Sequence, residues 1–299
     1  MVSKAYGVDV ASYQATDMAA YHKAGASFAI VKLTEGTAYT NPKAEAQVKS
    51  SRANHLYTHA YHFANFGSST TQAKKEAACF IKQAKKEDIS QKRMLWLDWE
   101  AGSGNVVTGS KAANTAAILA FMDAVKAAGW RPGLYSGASL LRTAIDTAQV
   151  VKKYGTCLWV ASYPTMAAVS TADFGYFPSM DGVAIWQFTS NWMGLNVDGN
   201  VALVDLNSAS ASPSPAKPKP KDKPKATATD FHGVVKVKNL GPGKASWKVR
   251  LLSKDGHYTN SYVPQGSRWK TSETAIIKGK KCYLIGKDLW IPSEFVTVE

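Results

Sequence analysis

The run LWLDWE (Leu95 to Glu100) sets two carboxylates two residues apart in an otherwise apolar segment. In a strand, Trp96, Asp98 and Glu100 share one face while Leu95, Leu97 and Trp99 share the other. The two acids then lie about 6.6 Å apart at Cα. Apolar neighbours and mutual repulsion both raise a carboxyl's pKa. Such a pair can keep one acid protonated while another ionises, which suits cleavage of a glycosidic bond. Solvated acids at a strand end look the same when taken alone. Aspartates at further strand ends and a supply of nine Trp and thirteen Tyr weigh toward chemistry, although most aromatics pack cores. A zinc site built from His55, His59 and His62 is disfavoured, because His59 and His62 point to opposite faces of one strand and His55 precedes it. No metal or cofactor is expected.

The elements that must position these acids alternate. Strands are expected at Tyr6 to Val10, Phe28 to Leu33, Tyr57 to Phe63, Met94 to Trp99, Pro132 to Ser136, Leu158 to Ser162, Val183 to Phe188 and, more weakly, Asn200 to Asp205. Helices fit at Asp17 to Ala24, Pro42 to Ala53, Thr71 to Lys86, Ser110 to Ala128 and Ala138 to Lys153, with Asp17 and Ser110 as N-caps and Gly129 and Gly155 as C-caps. This α/β alternation predicts parallel strands with right-handed crossovers. Eight strands and about five helices predict an irregular β/α (TIM-like) barrel, with no long helix in the last two crossovers. Chemistry in such a barrel belongs at the C-terminal strand ends. Those ends carry Asp9, His62, Asp98 with Glu100, Tyr135, Tyr163 and Gln187.

The 299-residue chain carries net charge +14, which favours a polyanionic partner. Residues 208–230 hold five of the twelve prolines and five lysines and read as an extended cationic linker, reaching up to roughly 70 Å. Residues 1–207 carry 19 basic and 15 acidic side chains, whereas residues 231–299 carry 12 and 5, so the basicity is concentrated in the linker and the C-terminal part. Three cysteines without a paired spacing argue against a disulfide framework and fit folding under reducing conditions. No apolar run is long enough for a membrane span, and the N-terminus lacks a signal peptide's apolar stretch. Nucleic-acid binding rests on charge alone and is set aside.

After residue 231 the helical periodicity stops. Short strands separated by Gly, Pro and Asn predict a small all-β barrel or sandwich. Trp269 to Val296 looks like the closing hairpins of bacterial Src-homology-3-like or surface-layer-anchoring modules, which implies binding to cell-wall polymers through Trp247, Trp269 and Trp290.

YGVDVASYQ (Tyr6 to Gln14), FAIVKLTEG (Phe28 to Gly36), AYHFA (Ala60 to Ala64), LWLDWE, GLYSG (Gly133 to Gly137), LWVASY (Leu158 to Tyr163) and AIWQFTS (Ala184 to Ser190) occur in the order and spacing of glycoside hydrolase family 25. The chain thus resembles the muramidases of the Chalaropsis type, also found in phage endolysins. The resemblance implies cleavage of the β-1,4 bond between N-acetylmuramic acid and N-acetylglucosamine. Glu100 matches the general acid. Asp98 matches the carboxylate that stabilises the oxocarbenium-like transition state or orients the 2-acetamido group, and Asp9 assists electrostatically. A fourth acid is either Asp198 or Asp205, with a slight preference for Asp205. Glu35, Tyr61, Trp99, Tyr135, Tyr163 and Gln187 match groove-lining positions. The expected partner is bacterial peptidoglycan, met by a monomer without membrane insertion, made in a host cytoplasm and acting on the wall. The rival reading is a non-catalytic wall-binding adhesin on a degenerate barrel.

Overall fold

The structure, a computed structural model, describes residues 4–102, 104–163, 165–207, 229–239, 248–254, 256, 258–277 and 280–299. Most of the linker expectation and Trp247 lie outside the described residues. The chain divides into two compact units, Met1–Ala216 and Lys217–Glu299.

In the first unit, β1 (Ala5–Val10), β2 (Phe28–Glu35), β4 (Tyr57–Phe63), β5 (Met94–Asp98), β6 (Arg131–Gly137), β7 (Leu158–Ala161) and β8 (Val183–Thr189) run parallel, and a short β3 (Tyr39–Thr40) folds back on β2. The sheet closes through β1–β2 pairing on one side and through β9 (Asp198–Ala202) on the other. β9 is antiparallel to both β1 and β8. This corrects the expected all-parallel sheet. The loop from β8 to β9 is a tight reversal in which Met193 and Asn196 adopt positive φ, so no crossover helix is needed. Among the described residues, the β7–β8 connection holds only a short 3₁₀ turn at Phe174–Tyr176.

Period-two alternation separates two apolar layers. Outward side chains such as Leu95, Leu97, Leu134 and Val160 pack under the helices, and inward ones such as Ile30, Trp96, Trp159 and Ile185 fill the barrel. The Trp96 and Trp159 rings meet edge to face at 5.7 Å, and Tyr135 lies 4.4 Å from Trp159. This aromatic plug leaves no room opposite it. A Cβ on Gly133 would sit 2.1 Å from the Trp96 ring, and one on Gly7 would sit 2.5 Å from Phe28.

Among the described residues six helices surround the barrel: α1 (Ala19–Lys23), α2 (Ala44–Ala53), α3 (Thr70–Lys86), α4 (Lys111–Ala127), α5 (Ala138–Thr143) and α6 (Thr147–Tyr154). The expected helix over Ala138 to Lys153 is two, because the Asp146 side chain accepts from Gln149 N at 3.2 Å and caps a fresh start. Ser110 caps α4 as expected. Asp17 instead accepts from Ala19 N, one residue before Met18, which occupies the cap position of α1.

The second unit is an antiparallel seven-stranded sheet: β10 (Thr229–Val237), β11 (Lys248–Leu252), β12 (Tyr258–Pro264), β13 (Arg268–Ile277), β14 (Lys280–Gly286), β15 (Leu289–Pro292) and β16 (Val296–Val298). β12 is a polar run, YTNSYVP, without a clear alternation. Trp290 is buried against Leu252, Ala275, Ile277 and Cys282, and Trp269 is half-buried against the other core cluster. Trp290 therefore has no surface to offer a polymer, and among the described residues of this unit the exposed aromatic is Tyr262, with the Arg250 guanidinium 5.8 Å from its ring.

Gly133→Ala should lower the stability of the first unit by about 1–3 kcal/mol, since rigid Trp96 cannot yield within a close-packed plug. Thermal unfolding checks this, and an unchanged midpoint would show that the plug has slack.

Candidate active site

The barrel mouth at the C-terminal ends of the parallel strands is built on Asp9. Its Oδ2 accepts from Asn200 Nδ2 at 2.7 Å and from Gln187 Nε2 at 3.0 Å. Neither amide is free to turn around. Asn200 Oδ1 is occupied by the Trp159 indole N–H at 2.7 Å, and Gln187 Oε1 by the Tyr135 hydroxyl at 3.1 Å. Their N–H₂ ends must therefore face Asp9, which fixes Asp9 as an acceptor.

Because β9 runs antiparallel, its first residue lies at this mouth, and Asp198 pairs in register with Asp9. Burial first, then the charge of Asp9 and a hydrogen bond to it, push Asp198 up to about 9. Asp9 is also raised by burial, against hydrogen bonds from Asn200, Gln187 and Asp198 that hold it down. Asp198 therefore carries the proton at neutral pH and donates to Asp9.

β5 brings Asp98 inward beneath Glu100. Trp99 points outward, fully buried, with its indole N–H on Gly67 O at 2.9 Å. Its backbone is held by Tyr135 O and by the Ser136 hydroxyl. Trp99 thus anchors the motif from behind and does not line the groove, as strand alternation requires. Beyond the strand, buried Asn105 donates to Glu100 O at 2.7 Å and accepts from Gly67 N at 2.8 Å, which ties the Glu100 loop to the loop after β4. Nothing in the local pattern marked Asn105.

Burial raises Asp98 well above the ordinary carboxylate range, and Glu100, Asp9 and Glu35 raise it further; Lys32 is the cation that opposes them. Glu100 is raised by burial and then by Asp9, again against Lys32. Oδ1 of Asp98 accepts no hydrogen bond among the described residues. Lys32, which sequence reasoning missed, reaches into the mouth from β2 and pairs with Glu35 at 2.6 Å. The signal was available, since a lysine inside the apolar run FAIVKL needs a partner.

Tyr61 and Tyr135 face inward beside the acids. Burial first, then the surrounding carboxylates, hold both phenols far from ionisation. Tyr163, half exposed, is raised by burial and then by Asp198, Glu100 and Asp9. Asp205 is not brought to this site. It follows β9 at the opposite end of the barrel, beside Ala5, Ser27 and Tyr57 and within the field of Arg93 and Arg131. The slight preference for Asp205 is corrected by geometry, and Asp198 is the acid that joins Asp9. The three histidines also stay apart. His59 lies inside the barrel, accepting from Met94 N and pushed down to about 3 by burial, whereas His62 lies on the helix side and His55 sits in the turn after α2.

A closed β/α barrel with carboxyl groups on neighbouring strand ends, one held protonated and another fixed as an acceptor, is the architecture of a carboxylate-based glycosidase. The chain belongs to glycosyl hydrolases family 25, whose profile matches residues 8–196. It is 71% identical over 181 residues to the lysozyme of Lactococcus phage mv1, covering 60% of this chain and 90% of that protein. It is 37% identical over 142 residues to the N,O-diacetylmuramidase of Chalaropsis sp, covering 44% and 66%. Among solved structures, the modular Cpl-1 endolysin complexed with a peptidoglycan analogue superposes with a TM-score of 0.58 at 25% identity, covering 96% of this chain and 81% of that one.

Lys32 lowers both Asp98 and Glu100, so Lys32→Met should raise both pKa values. The limb of the pH–rate profile that reports a required carboxylate should move to higher pH, and so should the limb that reports a required acid. A profile that stays in place would remove Lys32 from the site's electrostatics.

Proposed function

We propose that the first unit cleaves the β-1,4 bond between N-acetylmuramic acid and N-acetylglucosamine in bacterial peptidoglycan, lysing the wall. The observation that carries this reading is Glu100, raised by burial and by Asp9, standing beside Asp98 in the mouth of a family 25 barrel. The names of its relatives, a phage lysozyme and the N,O-diacetylmuramidase of Chalaropsis sp, support the same reaction.

In this reading protonated Glu100 donates to the leaving glycosidic oxygen. Positive charge then develops at the anomeric carbon, where the ionised form of Asp98, held against its burial by the Lys32 cation, stabilises it. The unpartnered Asp98 Oδ1 is placed to accept from the substrate's acetamido N–H and so to orient the acetamido oxygen as internal nucleophile. Asp9, held as an acceptor and sharing the Asp198 proton, adds negative potential without a second free charge. Tyr61, Tyr135 and Tyr163 supply hydroxyls and ring surface for the sugars. Two carboxyls and water suffice, so the reading includes no cofactor or metal.

The second unit, a basic Src-homology-3-like module in this reading, holds the enzyme on the anionic wall through exposed Tyr262 and Arg250 rather than through its buried tryptophan. The chain acts as a monomer, without nucleic acid and without inserting in a membrane. It is made in the host bacterial cytoplasm and acts on the cell wall outside the membrane.

Glu100→Gln removes the transferable proton while keeping the shape. Release of reducing ends from purified walls should fall about 10²–10⁴-fold; an unchanged rate would overturn the assignment. Deleting residues 208–299 should reduce binding to intact cells far more than turnover of soluble wall fragments, and equal losses would contradict the division of labour.

A further inference from the structure

A fully buried carboxylate on the helix side of the barrel has no part in the chemistry above. Glu76 lies on α3 among Ala73, Ala77 and Phe80, the apolar stripe of that helix. Its Oε2 accepts from His62 Nε2 at 3.0 Å and from Asn65 N at 2.9 Å, and its Oε1 accepts from Gln72 Nε2 at 3.2 Å. The His62 ring, also fully buried, stacks on Phe121 at 5.1 Å, and its Nδ1 meets the Thr34 hydroxyl at 2.8 Å. Burying a carboxylate and an imidazole costs several kcal/mol per charged group unless each is fully hydrogen-bonded. Core packing alone would be served as well by apolar residues.

The destination of this chain explains its position. Along β2, Phe28 and Ile30 face the barrel interior while Ala29, Val31 and Leu33 face the helices. Strict alternation would then send Lys32 and Thr34 inward and Glu35 outward. The register against β4 slips by one residue at this point: Lys32 lies opposite Tyr61, but Thr34 lies opposite His62 and Glu35 opposite Phe63. Thr34 therefore turns to the helix side, where His62 holds its hydroxyl, and Glu35 turns inward to reach Lys32 at 2.6 Å. A bulge of this kind re-aims side chains near a site. Here it allows residues three apart in one strand to pair above Asp98.

We infer that Glu76, His62 and Thr34 form a latch that locks the β2 bulge and thereby positions the Lys32–Glu35 pair against Asp98 and Glu100. They are positioning residues, and the inference rests on the muramidase reading only for its assay. Glu76 also holds Asn65 N, and the Asn65 side chain closes the space beside two glycines: a Cβ on Gly36, next to Glu35, would sit 2.8 Å from it, and one on Gly104, in the loop after Glu100, 3.0 Å. The latch thus grips both walls of the acid site.

Thr34→Val removes the hydroxyl at nearly constant volume, and Glu76→Gln keeps the shape while removing the charge. On soluble, uncrosslinked peptidoglycan strands, the full chain carrying either change should lose about 10-fold or more in kcat, as expected when a misplaced group acts at a distance, with KM little changed. Thr34→Ser should restore the rate. In a Lys32→Met background, Thr34→Val should cost little further, because its effect passes through Lys32. If either variant lowers the thermal midpoint yet leaves kcat intact, or if the Thr34 and Lys32 effects multiply, the latch is only structural and the inference fails. The wild-type chain separates this failure from that of the activity itself: no turnover by the wild type overturns the muramidase reading, and the latch's role with it. Turnover indifferent to both variants overturns the latch alone.

Discussion

Placing four carboxyl groups in the desolvated end of one barrel is the constraint on which the catalytic unit depends. Like charges at close range in a medium of low dielectric cannot all ionise, and each ionised one must be met by donors or by a cation. The structure answers differently for each acid. Asp198 keeps its proton and gives its hydrogen bond to Asp9. Asp9 is surrounded by amides that cannot turn away. Asp98 and Glu100 share the field of Lys32. For Asp9, Asp98 and Glu100 burial pushes the carboxyl toward its protonated form, and the amide donors or Lys32 pull it back.

The scaffold follows from that need. The aromatic plug of Trp96, Trp159 and Tyr135 excludes water from below and also supplies the two donors that orient Asn200 and Gln187. Packing and electrostatics are one device here, since the ring that fills the barrel also fixes the amide that fixes the acid. The helix-facing side of the strands and their loops contributes the outward anchors, Trp99 on Gly67 and Thr34 on His62, which set from outside where the inward residues point.

Much of this was legible in the sequence because a strand's alternation is local. LWLDWE shows its inward and outward faces without any tertiary knowledge, and the same rule separates His59 from His62. That rule also assigns Trp99 outward, against the family position that counted it as groove-lining. What could not be read was direction. Taken as another parallel strand, Asn200 to Asp205 delivers Asp205 to the catalytic mouth. Run antiparallel and shifted by two residues, it delivers Asp198 instead. The bulge in β2 was hidden for a related reason: alternation puts Lys32 and Glu35 on opposite faces, and only pairing with β4 shows the slipped residue. Glu76, a carboxylate in the apolar stripe of α3, was the one visible hint that something polar waited on the strand below.

The cleavage proposed for this acid cluster falls on the reducing side of N-acetylmuramic acid. Borohydride reduction of the digested wall followed by mass spectrometry of the released sugars tests it most directly. Reduced muramic acid at the new chain ends is the predicted product, and reduced glucosamine in its place would rule out muramidase cleavage.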